Sequence, residues 1–411
     1  MTEAYLTLRS FRLKNFKAVR DSGEVRFTPL TVFIGNNGSG KSSLIEGLQA
    51  LQDITTQGLD EAMNRWRGFE HVHNPPIDLL RGVQQKSRKN PFLEFTLKGD
   101  APEEGLYHVS MKVEMSQTGD DIFISEEKIN FRNRRFLHRD AEGEINLADI
   151  EEVAPTHLRL GVSSLTPQVA NNIMNQFAYD GELSLLDGME FAQLASNITR
   201  WQFVMLNPYS MGQPRPQRRS GGVISLESDG SNIAEYLLEI RKQAPDVFEG
   251  IIEALHYVLP YVSDLQPSLT SELERAVYLQ MTEQDYKVPG WLLSSGTLRI
   301  LALLALLRHP TPPPLIVIEE IENGLDPRTI HLIVEELRNV VESGTTQVII
   351  TTHSPYLLDL LALSQIVLVE RIDGQPTFFR PSDQQALEQW GKDFGPGRLY
   401  TMSKLSSRGR S

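Results

Sequence analysis

The sequence predicts an α/β protein, and three apolar runs that each end in chemistry-bearing residues predict it. Leu30 to Ile34 runs into a glycine-rich loop, Leu315 to Ile318 into paired glutamates, and Gln347 to Thr351 into a histidine. A continuous apolar run of four to six residues, bounded by turn signals, reads as a strand buried on both faces of a sheet. Helical patterns lie between these runs, and that alternation argues for a mixed sheet with helices on its faces.

Taken in order, Leu6 to Phe16 and Glu24 to Phe27 alternate as strands do, before the first buried run. Ser42 to Gln52 then reads as a helix with Leu44, Ile45, Leu48 and Leu51 on one face. Short alternating segments within 92–148, among them Phe92 to Leu97 and Tyr107 to Val113, predict an antiparallel β-layer. From about 165 to 205 the spacing is helical, and Asn207 to Asn232 is rich in Pro, Gly, Ser and Arg, as a loop is. A helix is expected from Ile233 to Leu259. The last third alternates a helix from Ser294 to Leu307, the second buried run, a helix from Pro327 to Val341 and the third run. A helix from Ser354 to Leu361 and a strand from Ile366 to Glu370 follow. The expected division is a first lobe over 1–160, an inserted helical region over 161–285, a second lobe over 286–380 and a tail over 381–411.

The 411 residues are 40% apolar, enough for a large core, and contain no cysteine, which excludes disulfides and thiolate chemistry. No membrane span or secretory leader is visible, so a cytoplasmic protein is expected. The net charge of −13 does not point to nucleic acid as a partner. Three basic clusters, around Arg81 to Lys89, Arg132 to Arg139 and Arg215 to Arg219, leave room for it locally.

Gly35-Asn36-Asn37-Gly38-Ser39-Gly40-Lys41-Ser42 satisfies the phosphate-loop pattern GxxxxGK[ST], and Ser43 follows at the helix start. Glycines let successive backbone N–H groups approach phosphates closely, Lys41 reaches the β- and γ-phosphates, and the Ser42 hydroxyl can ligate Mg2+. The buried strand before it and the amphipathic helix after it supply the context this pattern needs. Glu319 and Glu320 close the second buried run. The first acid can hold Mg2+, and the second can orient and deprotonate an attacking water. His353 closes the third run at the same sheet edge, where a histidine can meet a γ-phosphate. Ser294, Ser295 and Gly296 open a helix; alone they read as a cap, and just ahead of the paired acids they read as an anion site.

These motifs, in this order, resemble those of ABC-type ATPases. Leu293 to Thr297 resembles the ABC signature, Glu322-Asn323-Gly324-Leu325-Asp326-Pro327 the D-loop, and His353 the switch histidine. Leu13-Lys14-Asn15-Phe16-Lys17, the paired glutamates and Thr351-Thr352-His353-Ser354-Pro355 resemble the SMC/RecF/OLD branch more than transporter subunits. Asp229-Gly230-Ser231-Asn232 resembles stand-alone bacterial AAA/ABC ATPases, many of them found in anti-phage defence or toxin–antitoxin operons. Ser295 departs from the usual signature and Ile321 from the usual proline after the acids.

The resemblance implies ATP and Mg2+ as cofactors and a head-to-tail homodimer, or a higher homo-oligomer. In it, the signature and Asp326 of each subunit cap the ATP on the other's phosphate loop. It implies a sensor or scaffold subunit governing a separately encoded effector. A RecF-like DNA repair or replication ATPase and a regulatory interaction protein with a nearly inactive ATP site are the alternatives. The short remainder beyond His353 leads us to expect no Toprim nuclease. Phe16 and Lys17 are the candidates for adenine contact, and Gln84 or Gln85 for the Q-loop glutamine.

Overall fold

A computed structural model describes residues 6–74, 90–101, 105–131, 134–139, 145–146, 184, 192–218, 224–271, 274–384, 387 and 394–405. In chain order its strands begin with β1 (Thr7–Phe16), β2 (Val19–Asp21), β3 (Val25–Arg26) and β4 (Leu30–Ile34). Next come β5 (Phe92–Ala101), β6 (Gly105–Met115), β7 (Ile122–Phe131), β8 (Arg134–Arg139) and β9 (Ile145–Asn146). The second half adds β10 (Gln202–Val204), β11 (Arg215–Pro216), β12 (Val262–Leu269), β13 (Ala276–Glu283) and β14 (Tyr286–Pro289). Last are β15 (Leu315–Ile318), β16 (Gln347–Thr352), β17 (Ile366–Ile372) and β18 (Gln375–Phe379).

Two compact units interleave along the chain. One comprises 1–28, 36–201 and 369–379, and the other 29–35, 202–368 and 380–411. Each draws on segments far apart in sequence.

The first unit holds the antiparallel layer, in the order β2-β1-β5-β6-β7-β8-β9 with β3 also on β1. The burial of β5 alternates strictly, with Leu93, Phe95 and Leu97 inside and polar neighbours facing water. That is the period-2 pattern of a half-buried sheet. The helix Lys41–Gln57 packs on β1 and on the helix Ala192–Thr199. Gln52 ties that corner by donating to the carbonyls of Ile198 at 2.9 Å and Trp201 at 2.8 Å.

The second unit holds a parallel sheet with neighbours β10-β15-β16-β4-β17. Every residue of β4, β15 and β16 is buried, as the apolar runs predict. The helix Ser295–Leu307 is buried almost all round, whereas Pro327–Glu342 is amphipathic. The helix expected from Ile233 to Leu259 divides into Ile233–Gln243 and Pro245–Val258, because Pro245 lacks the N–H that would continue the first.

Strands β12 and β13 lie within the stretch read from sequence as the helical region, and β14 follows at its end. A register shift between Val262 and Asp264 breaks the alternation that would have marked β12. The stretch expected as a loop over Asn207 to Asn232 contains a one-turn helix, Pro208–Met211, and strand β11. Much of the stretch 165–205 lies outside the described residues, as do Gln84 and Gln85. No helix among the described residues is long and apolar enough to cross a membrane.

Candidate functional site

In the second unit the parallel register aligns Ile318 with Ile350 and Thr352 with Ile34. Glu319 and Glu320, His353 and Gly35 therefore leave the sheet along one edge, at the carboxyl ends of three adjacent strands. That edge is where open α/β sheets bind ligands.

Backbone bonds fix the acids there. The N–H of Glu319 donates to Val204 O at 3.0 Å, and that of Ile321 to Thr351 O at 3.3 Å. The Glu320 N–H donates to Thr351 Oγ1 at 2.8 Å. Glu320 itself takes a left-handed backbone, φ +49°, which for a residue with a Cβ costs about 1–2 kcal/mol. The reward is direction: its carboxylate faces solvent, and Asn323 Nδ2 donates to Oε2.

His353 is held by its own N–H, which donates to Glu322 Oε1 at 2.6 Å. Ser354 then caps the short helix Pro355–Asp359 by accepting from the Leu357 N–H at 3.2 Å.

The signature residues sit beside the turn that carries these acids. Ser294 is an N-cap, its Oγ accepting the Thr297 N–H at 3.1 Å. A Cβ added to Gly296 would lie 2.7 Å from Gly324 O. Gly324 has φ +70°, and a Cβ there would lie 3.7 Å from Arg299 Cδ. The helix start and the turn therefore touch backbone to backbone through two glycines. Asp326 caps the helix Pro327–Glu342, accepting the N–H groups of Arg328 at 2.9 Å and Thr329 at 3.1 Å and the Thr329 hydroxyl at 2.6 Å. These bonds, led by the Thr329 hydroxyl, hold its carboxyl below the usual carboxylate range.

Sequence reasoning gave no role to Arg299 or Glu322. Arg299 is half-buried, which pulls its guanidinium below the usual value, and the Glu320 carboxylate acts in the opposite direction. Both residues lie in stretches quoted for other reasons, and only the turn's geometry brings them to the acids.

The phosphate loop belongs to the first unit from Asn36 onward. The Ser39 N–H closes a turn on Asn36 O at 3.1 Å, and Lys41 Nζ, in a buried residue, donates to the same carbonyl at 3.2 Å. The helix Lys41–Gln57 starts from Gly40 with no side-chain cap. Gly40 has φ +110°, and a Cβ on it would lie 2.5 Å from Pro376 Cγ in β18. Gly40→Ala is thus expected to distort the loop and weaken ATP binding about tenfold or more, as titration calorimetry would measure.

Taken by residue type, a glycine-rich loop with a lysine, and paired acids at a strand end, are groups that suit a nucleoside triphosphate and Mg2+. Among the described residues no cluster of three or more acids and histidines forms a metal cage. Mg2+ at phosphates needs only one or two protein oxygens. Phe16 is fully buried, edge-on to Trp66 and Phe95, so it is a core residue and not available to stack on a base. Lys17 pairs with Glu46 at 2.7 Å and covers the Trp66 ring at 4.2 Å. In the third basic cluster, Arg215 pairs with Glu227, and Arg218 with Glu227 and Glu235, so neither offers a free cation to DNA.

A family profile described as "AAA domain, putative AbiEii toxin, Type IV TA system" matches residues 30–359. No curated protein matches the chain. Among solved structures, an SMC head bound to the C-winged helix domain of ScpA is 14% identical. It covers 90% of this chain and 96% of its own at a TM-score of 0.50. A Pyrococcus furiosus Smc head with an extended coiled coil, bound to the C-terminal domain of ScpA, is 13% identical over 94% and 99% at 0.47. The SMC head domain of Thermotoga maritima is 16% identical over 91% and 98% at 0.41. At 14% identity and a TM-score of 0.50 the likeness is one of fold alone, that of an SMC head.

Proposed function

The chain belongs to the family described as AAA domain, putative AbiEii toxin, type IV toxin–antitoxin system, and we propose that it is an ATP-hydrolysing switch that works as a head-to-tail homodimer. ATP rests on the loop Gly35 to Ser43, with Lys41 against the β- and γ-phosphates. Ser42 and Glu319 hold Mg2+, which when bound neutralises charge on the phosphate oxygens. Glu320 takes a proton from the attacking water. The water oxygen bonds to the γ-phosphorus as the bond to the β–γ bridging oxygen breaks, giving ADP and phosphate. His353 donates to the γ-phosphate. Ser294, Ser295 and Gly296, with Asp326, close over the γ-phosphate of the ATP on the opposite subunit, so hydrolysis removes the contacts that hold the dimer.

The observation that carries this reading is the common edge of β4, β15 and β16. Two acids and a histidine emerge there from β15 and β16, the two strands that lie side by side next to the strand that feeds the phosphate loop. A head of this fold occurs bound to a ScpA domain, and the family description names a toxin–antitoxin system. Both are in keeping with a switch read by a separately encoded effector, in an anti-phage defence or toxin–antitoxin system.

Light-scattering mass of the Glu320→Gln chain tests the switch. Its mass should double on adding ATP and Mg2+ and return to the monomer value in ADP. An unchanged mass at saturating ATP overturns the dimer reading.

A further inference from the structure

Glu322 lies in the turn between β15 and the helix Pro327–Glu342. Its two oxygens are in different situations. Oε1 accepts the backbone N–H of His353 at 2.6 Å. Oε2 is buried and accepts no hydrogen bond from any described group. A carboxylate offers about four acceptor positions and buried ones are seldom left empty, so Oε2 marks a donor not engaged in this conformation. The imidazole of His353 makes no hydrogen bond to a described residue, and it belongs to the residue whose backbone the other oxygen already holds. Nearby Asn323 is taken, since its Nδ2 donates to Glu320.

We propose that Glu322 is the carboxylate partner of His353, a positioning residue that fixes its backbone through Oε1 and its ring through Oε2. The proposal rests on the assignment of His353 to the γ-phosphate and deepens it. With Nδ1–H turned to Glu322, Nε2 is the nitrogen left to face the phosphate, the arrangement by which carboxylates orient histidines elsewhere. The geometry also gives the pair a link to closure. Glu322 is two residues from Gly324, whose carbonyl meets the signature helix at Gly296, so the turn that feels the signature is the turn that holds the histidine.

Steady-state ATPase assays of Glu322→Gln, His353→Ala and the double variant test the pair. Glutamine keeps an oxygen for the His353 N–H but presents an amide N–H2 to the ring. We expect Glu322→Gln to lower kcat about tenfold or more with KM within about twofold, and the double variant to be no slower than His353→Ala alone. A melting temperature near that of the parent shows that the loss is not one of folding. If Glu322→Gln keeps the parent kcat while His353→Ala loses it, Glu322 holds only backbone and the proposal is overturned. If His353→Ala itself keeps the parent kcat, the assignment of the histidine fails and the pairing falls with it, a result distinct from the first.

Discussion

Glu320→Gln is expected to lower ATP turnover about 100- to 1,000-fold, the range typical of removing a positioned general base, while leaving ATP binding nearly unchanged. The structure explains why so small a change acts so selectively. Glu320 is exposed, and its direction is set by a left-handed backbone, by Thr351 Oγ1 on its N–H and by Asn323 on its carboxylate. A glutamine keeps the shape, the backbone strain and an oxygen for Asn323. It cannot accept a proton from water. Nothing in the phosphate loop changes, so the nucleotide should be held and the dimer should persist. Phosphate release in single-turnover and steady-state assays, with nucleotide affinity measured separately, checks both halves. A rate within about twofold of the parent would reassign the base to another group.

The sequence exposed this much of the site for a physical reason. A strand buried on both faces must be apolar throughout, so the acids after Ile318 and the histidine after Thr352 stand out against it. The antiparallel layer was legible for the complementary reason, since half-burial forces alternation in β5 and β6. Strand β12 escaped because Pro267 and a register shift interrupt its period. Strand β18 escaped because the chain returns on itself only after a tight turn at Asp373 and Gly374, both with positive φ.

What sequence cannot carry is contact between distant segments. That Pro376 crowds Gly40, or that Gly324 meets Gly296, is invisible until the chain is folded. The cap residues show the same limit from the other side. Ser294 was read as a cap or as nucleotide-facing and Asp326 as nucleotide-facing, and the structure engages both as caps of their own helices. A serine or aspartate that caps its helix still has lone pairs to offer for a second role, since a carboxylate has about four acceptor positions and Asp326 uses three of them.

That second role makes a prediction that only a head-to-tail dimer can meet. In the Glu320→Gln background, Gly296→Ala should weaken ATP-dependent dimerisation about 100-fold. Its added Cβ would lie 2.7 Å from the Gly324 carbonyl, and neither backbone can yield without moving the signature helix off the turn. An overpacked contact of this kind costs about 1–3 kcal/mol, and 2.7 kcal/mol is about a hundredfold. Lys41→Ala should abolish dimerisation differently, by removing the cation that holds the phosphates of ATP on its own subunit. Each variant alone should stay monomeric in ATP. Mixed together, they should form a heterodimer, because the phosphate loop of the Gly296→Ala subunit is intact and faces the intact signature of the Lys41→Ala subunit. One of the two composite sites is then whole and the other has lost both halves. Differently tagged chains and a pull-down with and without ATP read this directly. If ATP fails to join the two variants, although each subunit still melts like the parent, the signature does not act across the interface. The closing motion must then be sought within one chain.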